Sequence, residues 1–184
     1  MRLHLVFLIV LATLSGCSAI YTKDTRSSSI EWNDSKVVIG IAGIVNKAPF
    51  KGQIRANAVS YEGNVLIVGQ AVNDEIRQQF IAKVKKLNNV GQVFDKLRVR
   101  PLLTLQEISK DTWITTKVKS SLIASKKLND IYIQVLTEDG EVFLMGYVSN
   151  QQADMATEIA RNISGVKRVI KGFNYVEDSA TSED

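Results

Sequence analysis

The sequence predicts an α+β fold in which one α-β-β-α-β unit occurs twice, each copy a three-stranded sheet covered by two helices. Three observations lead there. The residue pattern of 31–100 recurs over 108–175, apolar spacing switches between helical and alternating periods at matching places, and each copy is interrupted by one glycine-containing pair, Glu62-Gly63 or Asp139-Gly140. At an offset of 77, Val37, Ile41 and Val45 fall on Ile114, Val118 and Leu122; Ile54, Ala56 and Ala58 on Ile131, Ile133 and Val135; Gly63 and Gly69 on Gly140 and Gly146. The offset drops to 76 inside the second helix, after which Leu87, Val90, Val93 and Leu97 fall on Ile163, Val166, Val169 and Phe173.

Residues 1–16 read as an export signal rather than as part of the fold. Arg2 supplies a positive start, and Leu3 to Leu14 is a mostly apolar run of twelve, too short to cross a bilayer as a mature helix. Leu14-Ser15-Gly16-Cys17 follows and is similar to a bacterial lipobox. That likeness implies cleavage before Cys17, a diacylglyceryl group on its thiol and an N-acyl chain on the new terminus; no other cofactor is expected. Two or three chains, at about 0.8 kcal/mol per buried methylene, hold a protein on a membrane durably where one does not. Ser18 after the cysteine, in place of Asp, resembles lipoproteins passed on to the outer membrane, which implies a protein facing the periplasm. Residues 17–30 read as the acylated cysteine and a Ser-rich tether, with an end-to-end distance of roughly 20 Å as a coil.

The first unit is placed at 31–100. Apolar residues four apart mark its first helix. A hairpin follows, Gln53 to Tyr61 and Asn64 to Gln70, with Gly63 accepting the positive φ of a tight turn. A helix over Asp74 to Leu87 and a strand over Gln92 to Val99 complete it. Residues 101–110 form a connection too apolar, with Leu102, Leu103, Leu105 and Ile108, to run free in water, so it is read as packed on one or both units. The second unit, 111–176, has Asp111 as N-cap of its first helix, strands Asp130 to Thr137 and Glu141 to Val148, a helix Gln151 to Ile163 opened by a Ser149/Gln152 capping box, and a strand Lys167 to Tyr175. The helices can cover one face of each sheet, leaving the other to solvent or to the sister unit. Residues 177–184 are an acidic tail with four carboxylates and no base.

Apolar residues make up 45% and charged residues 23% of the chain, a balance that buries a core. The only cysteine and the only histidine, Cys17 and His4, both precede the folded part. This excludes a disulfide, a Cys/His metal site, and Ser-His-Asp or Cys-His nucleophiles. The acids sit at turns and helix starts, such as Asp74, Glu75, Glu138 and Asp139, where capping and solvation account for them, so no enzyme is expected. The net charge of +4 is uneven: residues 31–110 carry 12 Lys/Arg against 7 Asp/Glu, and residues 111–176 carry 8 against 7. Such an excess favours an anionic partner. Nucleic acid is disfavoured by the export signal and by the lack of a reading motif. Lys83 to Lys86 (K-V-K-K) is read as a solvated helix face.

The repeated unit, with Gly69 and Gly146 ending the second strands, resembles the BON domain (bacterial OsmY and nodulation). D-T-W-I-T-T-K-V from Asp111, E-V-F-L-M-G from Glu141 and S-G-V-K-R-V from Ser164 are similar to dual-BON outer-membrane lipoproteins. The likeness spans nearly the whole mature chain, closely in the second unit and more loosely in the first. It implies a non-enzymatic, periplasm-facing lipoprotein that recognises anionic phospholipid through the first helix of its second BON domain, gathers at division sites and supports outer-membrane integrity.

That helix can also be read residue by residue. At 100° per residue, Ile114, Val118, Ser121, Leu122 and Ser125 share a core-facing side. Trp113, Thr116, Lys117, Ser120, Ile123, Ala124 and Lys127 share the other, flanked by Lys119 and Lys126. An indole that settles at headgroup level beside ammonium groups that meet phosphate suits a phospholipid surface. The residues alone equally allow Trp113 to cover the edge of the core and Ile123 to touch the neighbouring unit; the resemblance favours lipid. In the first unit Lys36 stands where Trp113 does, and Gly40 and Gly43 stand where Lys117 and Ser120 do, so that unit is expected to bind lipid poorly and to serve as spacer or docking module. Gly69 and Gly146 are read as structural, letting strand turn toward helix without a Cβ clash. The competing function is a protein-docking lipoprotein that works on the outer-membrane assembly machinery or on peptidoglycan amidase regulators, through exposed sheet faces or strand edges.

Overall fold

The computed structural model describes residues 27–128 and 131–176; the signal peptide, Cys17, most of the tether, Asp130 and the acidic tail lie outside the described residues. The first unit consists of α1 (Ser28–Val45), β1 (Ile54–Tyr61), β2 (Asn64–Ala71), α2 (Asp74–Val84) and β3 (Val93–Val99). The second consists of α3 (Leu105–Ala124), a short 3-10 turn (Lys126–Leu128), β4 (Ile133–Glu138), β5 (Glu141–Val148), α4 (Asn150–Arg161) and β6 (Arg168–Tyr175). In both sheets the second strand is central, antiparallel to the first and parallel to the third. A parallel pair needs a crossover, and the helix between its strands supplies it.

Local chemistry accounts for the element ends. The hairpins turn on two residues with positive φ, Glu62 and Gly63 (52° and 77°) and Asp139 and Gly140 (52° and 73°), the geometry that matches strand twist. Asn73 caps α2 through the Ile76 amide, and Ser149 and Gln152 form the capping box of α4. Gly69 and Gly146 lie where the neighbouring strand crowds them: a Cβ would stand 2.0 Å from the Arg55 carbonyl oxygen and 2.6 Å from that of Tyr132. The constraint comes from strand against strand, not from a bend toward the helix.

Two helix starts differ from the sequence reading. Helix α1 opens inside the stretch assigned to the tether, with the Ile30 and Glu31 amides bonded to the Ser27 carbonyl. Its first turn is exposed, so no apolar period betrays it. Helix α3 opens at Leu105, not after Asp111; Thr104 caps it in a box with Glu107, whose carboxyl is held below its ordinary range by the Thr104 backbone and hydroxyl. Residues 105–110 of the supposed linker are therefore helix.

Asp111 sits in mid-helix, 4% exposed, and accepts hydrogen bonds from the Asp139 and Gly140 amides at 2.7 and 2.8 Å. Asp34 does the same in the first unit, from the Glu62 and Gly63 amides at 2.8 and 2.9 Å, and also accepts from Ser60 Oγ at 2.6 Å. The repeat thus includes a buried carboxylate that ties the first helix to the hairpin turn and satisfies two backbone donors there.

Strand alternation builds three apolar clusters. Val65 and Ile67 of β2 join Val37, Ile41, Phe80 and Val84 beneath α1 and α2. Val142 and Leu144 of β5 do the same with Ile114, Val118, Ala156 and Ala160. The intervening residues Leu66 and Val68, with Tyr61, meet Phe143 and Met145, so the helix-free face of each sheet is packed on its sister. The sheet faces suggested as docking surfaces are consequently covered. Polar contacts surround this junction. Glu138 accepts from Arg55, from Asn57 at 3.1 Å and from Gln70, whose own carbonyl receives the Leu103 amide at 3.3 Å. Arg98 reaches Glu141, and Arg100 reaches Asp139 at 2.8 Å. Leu103 is buried in the connection as anticipated, whereas Leu105 is 83% exposed.

Candidate functional site

Helix α3 is positioned by Asp111, Ile114, Val118 and Leu122, all buried on one side. Residues 100° from that stripe lie at its margins, and which of them face outward depends on what packs beside each. Trp113 faces outward, at 48% exposure, and Thr116, Lys117, Ser120 and Ala124 are exposed beside it. The Lys117 ammonium lies 5.6 Å from the centre of the Trp113 ring, a cation-π contact at the surface. Lys110, one turn earlier, is exposed on the same flank.

The polar groups of this surface are largely satisfied from within. Ser109, Thr112 and Thr116 hydroxyls donate to the carbonyls of Leu105, Ile108 and Thr112 at 2.8, 2.9 and 3.0 Å. Hydroxyls committed to backbone lose less on leaving water. An exposed indole, internally bonded hydroxyls, and lysines at the margin make a surface that tolerates the edge of a bilayer.

Two residues assigned to this face lie elsewhere. Ile123 is half-buried and lines a groove of about 590 Å³ between the units, with Val38 and Ile39 of α1 on the facing side and β1 and β4 residues at its floor. Lys127 falls in the 3-10 turn after α3 has ended at Ala124, because Ser125 leaves helical geometry at ψ 106°. Helical stepping cannot carry Lys127 past that break. Ser125 itself contacts Met155 Sδ at 3.8 Å.

Other residues were missed. Leu105, placed by its sequence context in the connection, opens α3 and is exposed. Trp32 and Ile39 of α1 are 63% and 66% exposed, so the first helix of the first unit does carry an outward aromatic, one turn ahead of the Lys36 compared with Trp113. The spacing Trp32, Lys36, Ile39 is the helical signal that could have found it. Among the described residues, no three His, Cys, Asp or Glu gather to hold a metal ion, and no helix is long and apolar enough to cross a membrane.

Comparison with known proteins sets this geometry in context. Residues 33–101 and 110–177 each match the family model described as BON domain. Over 170 residues the chain is 38% identical to the outer membrane lipoprotein DolP of Haemophilus influenzae, covering 90% of this chain and 88% of that one. It is 37% identical over 155 residues to the 21 kDa hemolysin of Actinobacillus pleuropneumoniae, covering 84% and 80%. It is 32% identical over 116 residues to the osmotically-inducible protein Y of Escherichia coli, covering 61% and 58%.

Proposed function

The chain belongs to the BON domain family, and from that premise we propose that it is an outer-membrane lipoprotein, held through acylated Cys17 and facing the periplasm, that binds anionic phospholipid with the outward face of α3. The observation that carries this reading is the half-exposed Trp113 under the Lys117 ammonium on a helix whose opposite side is firmly buried. The similarity to a protein named as an outer membrane lipoprotein supports the compartment. The family resemblance extends the reading to support of outer-membrane integrity and to gathering at division sites.

Magnitudes favour a contact that works with an anchor. Each lysine near an anionic surface contributes about 1 kcal/mol. Lys110 and Lys117 with one indole give a weak association by themselves. An acyl anchor keeps the helix beside the headgroups, where weak contact suffices to orient the protein. The test is flotation of the mature polypeptide carrying Cys17→Ala, kept from Ser18 onward because α1 begins at Ser28. At millimolar phosphatidylglycerol, where a weak association still registers, it is expected to float with the vesicles and to lose most of that binding on Trp113→Glu. Equal flotation of both proteins, or none by the parent, would sink the reading.

A second reading, docking on the outer-membrane assembly machinery or on amidase regulators, draws on the groove between the units, which β1 and β4 border as edge strands. A partner captured equally well by the Trp113→Glu protein would favour it.

A further inference from the structure

Among the described residues, the first unit presents an exposed apolar surface on α1. Trp32 and Ile39 lie two turns apart on its outward side, Ile39 at the rim of the groove between the units, and exposed Lys36 lies between them. Burial on the opposite side by Asp34, Val37 and Ile41 fixes that orientation. Past Ile39 the surface opens further: a Cβ at Gly43 would meet nothing within 4 Å. A cleft beside it has Phe50 and Leu87 in its walls and Lys47 and Lys83 at its border, with the Lys83 ammonium 5.5 Å from the Phe50 ring centre. An indole, an aliphatic side chain and three cations therefore share one side of this unit.

Chain length says what can reach that surface. Helix α1 starts at Ser28, eleven residues after Cys17. Eleven residues, in any conformation, span at most roughly 40 Å. A protein anchored at Cys17 cannot carry α1 farther than that from the bilayer, and no other element is tied so closely. The charge is complementary as well: Lys36, Lys47 and Lys83 suit anionic headgroups, while Trp32 and Ile39 suit the boundary with the acyl chains.

We infer that α1, through Trp32, Lys36 and Ile39, is a second phospholipid-contacting surface that meets the anionic bilayer in which the protein is anchored. This rests on the anchoring part of the proposed function but not on the assignment of lipid binding to α3. It reverses the expectation that the first unit binds lipid poorly. The weight of that expectation lay on the position matching Trp113, whereas the aromatic of α1 is one turn earlier.

The chain contains two tryptophans, Trp32 and Trp113, so each can be read alone. The acylated protein is reconstituted in phosphatidylglycerol vesicles with brominated acyl chains, once as Trp113→Phe and once as Trp32→Phe. In the first variant the emission of Trp32 is expected to be quenched relative to unbrominated vesicles. In the unacylated Cys17→Ala chain, Ile39→Glu is expected to weaken partitioning onto phosphatidylglycerol vesicles by about tenfold, roughly half or more of what full burial of an isoleucine contributes. Trp32, Ile39 and Trp113 are all exposed, and an unchanged circular dichroism melt confirms that the fold persists. Unquenched Trp32 beside quenched Trp113 overturns this inference and leaves the α3 assignment standing. Quenched Trp32 beside unquenched Trp113 does the reverse, and if neither is quenched both fail.

Discussion

Replacing Asp111 by alanine removes the carboxylate that fastens α3 to the second hairpin. Two backbone amides, those of Asp139 and Gly140, lose an acceptor at 2.7 and 2.8 Å, and Gly140 is buried. A hydrogen bond to a charged group contributes about 1.5–3 kcal/mol, and an orphaned buried donor costs about 1–3 kcal/mol. The Asp139 amide lies where water can approach, so its loss falls at the low end. Alanine also regains about 0.5 kcal/mol in helix propensity and spares the desolvation of a carboxylate. The net expectation is a loss of about 2–3 kcal/mol, which for a chain of this size lowers the melting temperature by roughly 5–10 °C. Asp34→Ala should cost more, because Ser60, itself buried, loses a partner too. To assign the loss to the unit that carries the change, denaturant titrations should be followed by tryptophan emission in single-tryptophan variants, Trp113 reporting on Asp111→Ala and Trp32 on Asp34→Ala. Hydrogen exchange at the turn gives a local check. A cost below about 0.5 kcal/mol for Asp111→Ala, with the Gly140 amide still protected, would refute the reasoning.

Two further expectations concern the junction and its charges. Glu138→Ala leaves Arg55, Asn57 and Gln70 facing a lost carboxylate between the units, at an expected cost of about 3 kcal/mol and a larger radius of gyration in solution scattering; an unchanged melt with unchanged scattering would refute it. The Asp139 carboxyl is lowered chiefly by its hydrogen bond to Lys167, with Arg100 adding to it. Being lower in the folded than in the unfolded chain, it stabilises the fold above the ordinary aspartate range, and that contribution disappears as pH falls through the folded value. Thermal melts should therefore decline below about pH 4, and Asp139→Asn, which keeps a side chain tolerant of positive φ, should flatten part of that decline.

The tandem α-β-β-α-β order was legible because its signals are local and duplicated. Period changes, the paired turns and the Ser149/Gln152 box each act within a few residues. The outward placement of Trp113, Thr116, Lys117, Ser120 and Ala124 follows from helix geometry with Ile114, Val118 and Leu122 as the core stripe. The helix starts were less legible. Neither the exposed first turn of α1 nor residues 105–110 of α3 buries a periodic stripe, and Asp111 looks like a cap to anyone who cannot see the turn it faces. Helical stepping failed for Lys127 because one residue, Ser125, breaks the helix.

By itself the amino-acid order determined the two units, their element types and the side of α3 that meets the core, since periodicity and turn chemistry decide these within a short stretch of chain. Only the tertiary structure decided that the helix-free sheet faces are packed on each other, that Glu138 collects donors from the first unit, and that Ile123 belongs to a groove between units. Those outcomes depend on which of several equally apolar surfaces come together, a choice made by residues up to 83 positions apart, and no local pattern encodes it.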